Sequence, residues 1–176
     1  SARMSSLVED LLLLARLDSG PALAASATPL NQIVADAVSD ARAAGPQHQW
    51  SLVMPADDVI AWGDRYRLHQ VVANLLANAR THTPPGTHVE TALTVTQDQA
   101  VITVSDDGPG IPPDEAERVK RPFTRLESAR SNTKGSGLGL AIVDRSVRGQ
   151  NGEFRLAARA GGGLDACIEL PAAPKA

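Results

Sequence analysis

The stretch that most constrains this chain begins at Asp64, where Leu68, Val71, Val72, Leu75, Leu76 and Ala79 recur at helical spacing until Pro84, Pro85 and Gly86 end the pattern. A helix with so continuous an apolar face must lie against a core. At about 100° per residue, Gln70, Asn74, Asn78 and His82 form a polar stripe beside that face. Two carboxamides one turn apart therefore point the same way. Asn is a mediocre helix former, and the pair reads either as solvated positions or as neutral oxygen donors to a hard cation such as Mg²⁺.

The 176 residues suffice for one well-buried domain with a short appendage, and their 43% hydrophobic and 21% charged content, with mean hydropathy −0.13, excludes a disordered chain. The apolar run around residues 11–14 is broken by Glu9, Asp10, Arg16 and Asp18, so no membrane span is expected. Residues 1 to 20 lack a signal-peptide pattern, and none is expected. A single cysteine, Cys167, excludes an internal disulfide and fits a reducing, intracellular setting. A net charge of −3 and 3% aromatic residues argue against a nucleic-acid partner.

Residues 1–18 read as a helix, with Met4, Leu7, Leu11 and Leu14 widened into a stripe by Val8, Leu12, Ala15 and Leu17. Such a face requires a partner helix. Ser19, Gly20 and Pro21 end it, and residues 20–29 read as a linker. A second helix starts at Leu30 and runs through Ile33, Val34, Ala37, Val38 and Ala41 to Gly45 and Pro46. Strands are expected at 49–54 and 59–62, a hairpin at 89–96 and 100–104, a short helical piece at 114–119, a helix at 138–147, and strands at 153–158 and 164–170.

Two glycine-rich turns could carry chemistry. Asp106, Asp107, Gly108, Pro109 and Gly110 follow a strand; they read either as an ordinary turn or as a backbone wall, with a carboxylate able to accept from an amine such as that of adenine. Lys134, Gly135, Ser136, Gly137, Leu138 and Gly139 open a helix, which suits either tight packing or phosphate binding at exposed N–H groups. Their spacing is neither that of a P-loop nor that of a dinucleotide fold. Residues 118–134 carry a net +5, leaving −8 for the rest, and read as a solvated loop or as a basic lid over a nucleotide.

Taken in order, the Asn74 to Asn78 helix, the Asp106 to Gly110 turn, Pro122, Phe123 and Arg125, and the Gly135 to Gly139 helix start resemble the four ATP-site boxes of sensor histidine kinases, over residues 30–171. The resemblance implies an α+β fold, a two-layer α/β sandwich whose mixed sheet carries three main helices on one face. A short helical stub precedes it. ATP and Mg²⁺ are the implied ligands. Asn78 would hold the metal with Asn74 nearby, Asp106 would receive the adenine amine, and Gly108 and Gly110 would shape the adenine wall. Lys134, Gly135, Ser136, Gly137, Leu138 and Gly139 would surround the phosphates, with Arg125 approaching their tail.

The sequence departs from the family at several positions. Lys120 and Arg121 stand where a phenylalanine and an acid are usual, and Thr81 stands where a cation is usual, with Arg80 expected to supply that charge. His82 falls where an aromatic often flanks the nucleotide. Gly149, Gln150, Asn151 and Gly152 interrupt the usual paired glycines.

Residues 1–19 resemble the end of the second helix of the family's dimerising hairpin, which implies a linker at 20–29, the ATP-binding domain at 30–171 and a tail at 172–176. None of His48, His69, His82 or His88 has the neighbours of the phosphate-accepting histidine, so the acceptor is expected on the other hairpin helix and no catalytic residue is assigned here. The implied partners are that hairpin, a response regulator and, in the full-length protein, a second copy, a monomeric fragment being allowed. A cytoplasmic domain of a membrane-anchored parent is implied. The alternatives are a nucleotide-sensing module without transfer and an anti-sigma-factor-type serine kinase.

Overall fold

Asp64 adopts an extended conformation and its carboxylate accepts from the Arg67 N–H at 2.9 Å, capping the helix that the sequence pattern marks most strongly. A cap of this kind is worth about 1 kcal/mol. A computed structural model describes residues 2–19, 25–124 and 137–174. In chain order its elements are α1 (Ala2–Ser19), β1 (Ser26–Pro29), α2 (Asn31–Ala44), β2 (Gln49–Val53), β3 (Ile60–Gly63), α3 (Arg65–His82), β4 (His88–Thr96), β5 (Gln99–Asp106), α4 (Gly139–Gly149), β6 (Glu153–Ala158) and β7 (Leu164–Pro171). Two 3₁₀ turns, Pro113–Glu115 and Arg118–Lys120, stand where the short helical piece was expected.

Five strands form one mixed sheet in the order β2, β4, β5, β7, β6, with β2 parallel to β4 and the other pairs antiparallel. Alternate residues of β4, β5 and β7 point into the core, among them Val89, Leu93, Ile102, Val104, Ile168 and Leu170. Against that face lie α2, α3 and α4, which contribute Ile33, Leu75, Leu76 and Val147 to the same core. Each fully buried leucine or isoleucine contributes roughly 1.5–3 kcal/mol. The two-layer sandwich implied by the resemblance is therefore the observed fold.

The register sets up the site. Asp106 lies beside Val89 on one strand and Leu164 on the other, so the last inward position of β5 is a carboxylate between two buried aliphatic residues. Gln150 ties the sandwich together near the start of α3. It is buried just past α4, donates to the Ser146 carbonyl at 3.1 Å and accepts from the Asp64 N–H at 2.8 Å. Gln150 is thus a cross-link between α4 and the start of α3.

Two expectations are corrected, and a third is refined. Residues 26–29, read as linker, form β1, which pairs antiparallel with β3; buried Thr28 donates to the Gly63 carbonyl at 3.1 Å and holds the strand in place. Residues 172 and 173, read as tail, extend the fold: Ala172 bridges to Ala61, and the N–H of buried Ala173 donates to the Ile60 carbonyl at 2.8 Å. The stripe of the first helix is divided. Leu14, with Leu7, Leu13 and Leu17, packs on Leu138, Ala141 and Ile142, while Met4, Val8, Leu11 and Leu12 remain exposed. One partner of the first helix is therefore α4 of the same chain, further tied by an Arg145–Asp18 ion pair at 2.6 Å.

Candidate functional site

A cleft of about 1100 Å³ lies between the C-terminal half of α3, the turn after β5 and the start of α4, a volume suited to a nucleotide-sized ligand. The elements that meet there are those whose side chains or glycines stood out in the sequence. Asn74, Asn78, His82, Asp106, Gly110, Gly137 and Gly139 all line it. Arg125, Lys134, Gly135 and Ser136, assigned to the phosphates, lie outside the described residues.

One wall is built from backbone. Asp106 is 5% exposed, and its Oδ1 accepts from the Gly108 N–H at 3.0 Å, which folds the turn back on itself. Burial raises the Asp106 pKa above the ordinary carboxylate value; the N–H groups of Gly108 and Leu164 pull it down, Asp107 pushes it up and Arg159 lowers it. Beneath the turn sits Gly163, at φ +108°, where a Cβ would fall 1.9 Å from the Asp106 carbonyl oxygen. Gly110, at φ +73°, would carry its Cβ 2.7 Å from the Gly163 carbonyl oxygen. Only glycines permit this approach. Arg159 donates to the Asp106 carbonyl at 3.2 Å and lies 3.4 Å from the Asp165 carboxylate, bracing the turn from the β6–β7 side.

The opposite wall is α3. Asn74 and Asn78 are half-buried one turn apart, and among the described residues neither carboxamide is hydrogen-bonded. Unengaged amides on a cleft wall can offer oxygens to a hydrated cation or N–H groups to a ligand. Among the described residues no cluster of three or more His, Cys, Asp or Glu could hold a metal ion. Below the asparagines, Thr83 donates to the Ala79 carbonyl at 2.6 Å, capping the last turn, and its methyl group lies against Gly108.

At the third side, α4 begins with Gly139, whose Cβ position is open space, so the backbone of its first turn faces the cleft. The first N–H groups of a helix have no partner within the helix and attract anions. Gly137, at φ +75°, packs on the backbone of Phe123 and accepts from its N–H at 3.0 Å, so the Pro122–Phe123 turn is fastened to the glycine-rich turn. Leu138 plays a different part. Its side chain is buried against Leu14 and Ile142, so it anchors α4 to α1 while its neighbours face the cleft.

Other residues picked from the sequence sit elsewhere. Arg80 borders the cleft, but its guanidinium donates to the Ala44 carbonyl at 3.3 Å and its stem lies against Gly45. Two cations of the expected basic lid are engaged in the fold. Arg118 pairs with Glu115 at 3.0 Å, and Lys120, 7% exposed, donates to the Phe154 carbonyl at 2.8 Å and to Glu117 at 2.9 Å, with its ammonium 5.4 Å from the centre of the Phe154 ring. Lys120 can be buried because its stem is apolar and its charge is satisfied at the tip.

The family described as "Histidine kinase-, DNA gyrase B-, and HSP90-like ATPase" matches residues 63–174. The chain is 50% identical over 160 residues to a probable sensor histidine kinase, TcrY, of Mycobacterium tuberculosis, covering 90% of this chain and 34% of that protein. Among solved structures it is similar to the mycobacterial sensor histidine kinase MprB, with TM-score 0.74, 28% identity, and 86% of this chain and 99% of that chain covered. Full-length ShkA in complex with AMPPNP aligns with TM-score 0.81 and 26% identity over 99% of this chain and 37% of that one. The chain spans about a third of the length of the curated relatives it matches. With the family's region covering most of the sandwich and every described part of the cleft beyond the α2–β2 loop and α1, the chain belongs to the histidine kinase-, DNA gyrase B- and HSP90-like ATPases, as an ATP-binding domain of the sensor-histidine-kinase kind.

Proposed function

We propose that this domain holds Mg-ATP for transfer of the γ-phosphoryl group to a histidine on a helix paired with α1, as the catalytic part of a two-component sensor kinase. The observation that carries the reading is the meeting, in one cleft, of a buried carboxylate, two unengaged carboxamides and the open first turn of a helix. Asp106 accepts from the adenine amine, with Gly108 and Gly110 as the wall beside the base. Asn78, with Asn74 nearby, holds the metal, whose chemistry is to neutralise the phosphate oxygens and orient the chain. The start of α4 receives the phosphates through backbone N–H groups, joined by Lys134, Gly135, Ser136 and Arg125.

In the transfer the bond between the γ-phosphorus and its bridging oxygen breaks, a phosphorus–nitrogen bond forms on the acceptor imidazole, and ADP remains in the cleft. This chain's residues contribute position and charge compensation and take no covalent part. The relatives named as sensor histidine kinases support this reading over an anti-sigma-factor-type serine kinase. By the same similarity, α1 is the end of the second hairpin helix, a second copy and a response regulator are the partners, and the parent is anchored in a membrane with this part in the cytoplasm. An assay supplying the complete hairpin in trans should label its histidine from γ-labelled ATP. No label with nucleotide binding intact would favour instead a nucleotide-sensing module, the reading to which the docked Lys120 in place of an aromatic lends weight.

A further inference from the structure

His48 lies in the loop between α2 and β2, far in sequence from the site, yet it lines the cleft and its Nε2 is 2.8 Å from the Thr83 hydroxyl oxygen. The hydroxyl proton of Thr83 is already committed to the Ala79 carbonyl at 2.6 Å. The His48 Nε2 must therefore be the donor and the Thr83 oxygen the acceptor. This fixes the Thr83 rotamer, which in turn sets where its methyl group sits. A Cβ on Gly108 would fall 2.6 Å from that methyl carbon, so the Thr83 methyl is the surface on which the turn rests. Gly108 in turn holds Asp106 through its N–H. The His48 ring is itself held, 5.7 Å from the ring of Trp50, whose indole N–H donates to the Gly45 carbonyl at 2.7 Å.

We propose that His48 is a positioning residue for the nucleotide base: by donating to Thr83 it fixes the surface against which the Gly108 turn, and with it Asp106, is placed. The proposal rests on the reading of Asp106 as the acceptor of the adenine amine. Because it acts on the base side, its loss weakens ATP and ADP by the same factor, whereas a role at the phosphates would weaken ATP more.

The test is calorimetry of the whole chain with a Mg-ATP analogue and with Mg-ADP, on wild type, His48→Phe, His48→Gln, Thr83→Val and the double variant His48→Phe/Thr83→Val. Losing the His48–Thr83 hydrogen bond should weaken binding about fivefold in His48→Phe, and at least as much in Thr83→Val, which also loses the bond to the Ala79 carbonyl. The double variant should be no weaker than the worse single one. His48→Gln, which restores an N–H donor, should recover most of the affinity, a rescue that a purely packing role would not give. Equal affinity for wild type and His48→Phe, multiplying effects in the double variant, or a loss confined to ATP would overturn the proposal. Asp106→Asn serves as the reference. If it too binds normally, the base-side reading itself is wrong; if it binds weakly while His48→Phe does not, only the role of His48 fails.

Discussion

The two long walls of the cleft are built by opposite means. The turn after β5 is held by backbone packed on backbone, with Gly110 on Gly163 and Gly163 on Asp106, and leaves no room for a side chain. The α3 wall is a regular helix whose apolar face is fixed in the core and whose asparagines project from it without partners among the described residues. In the first wall, fold and site are the same atoms. In the second they are separable, because the core holds the helix whatever stands at positions 74 and 78. Substitutions at the turn's packed glycines should therefore cost stability and binding together, and substitutions on the helix should cost binding alone.

Gly163→Ala presses hardest on this contrast. A Cβ at φ +108° and 1.9 Å from a carbonyl oxygen forces the turn to move, with an expected loss of ~3 kcal/mol or more in denaturant unfolding and no measurable nucleotide binding. A stable, binding-competent Gly163→Ala would break the account of the turn.

Asp106→Asn follows. The asparagine keeps an oxygen for the Gly108 N–H, but offers the base an N–H group where an acceptor is needed. The expected loss is about 1.5–3 kcal/mol, or roughly 10- to 100-fold in affinity. Stability should move the other way. Because burial raises the Asp106 pKa, the folded protein holds that proton more tightly than the unfolded chain. Wild-type stability therefore falls as pH climbs from the ordinary carboxylate range to the raised value, and stays lowered above it. Asparagine has no proton to lose, so at neutral pH the variant should melt at the same or a higher temperature. In the wild type, affinity for adenine nucleotides should decline on acidification through the raised value. Melting and binding curves against pH check both.

Gln150→Ala tests the support of the helix wall. It leaves the Asp64 N–H without its acceptor and should cost about 1–3 kcal/mol of stability, with nucleotide affinity retained. Asn78→Ala is the smallest change to the fold: melting should be unchanged, while Mg-ATP affinity falls by about 1 kcal/mol and affinity in the absence of metal does not.

The same contrast explains what could be read from sequence. The helix wall was legible because periodicity fixes which residues share a face, and Asn74 and Asn78 do share one. The Asp106 to Gly110 turn was legible as a turn, but its partner was not. Gly163 stands out only as one of three consecutive glycines, and nothing local shows that it lies under Asp106, since that depends on the antiparallel register of β5 and β7. Thr83 was hidden as the residue before a proline, and His48 as a loop residue, for the same reason. Arg80 was read as a cation for the site, yet the end of α2 comes close enough for its carbonyl to take the guanidinium. Leu138 shared a glycine-rich motif with true cleft residues while its side chain served the contact with α1. A domain boundary placed at Leu30 leaves out β1, because four residues, Ser26 to Pro29, carry no period of their own and are held by pairing with β3.

The central claim is that this cleft binds Mg-ATP with the base at Asp106 and the metal at Asn78. Calorimetric titration of the chain with a non-hydrolysable ATP analogue, with and without Mg²⁺, tests it most directly across wild type, Asp106→Asn and Asn78→Ala. The account predicts one saturable site in the wild type, a large loss in Asp106→Asn under both conditions, and a loss in Asn78→Ala only when Mg²⁺ is present. No saturable binding, or equal affinity in all three proteins, would contradict it.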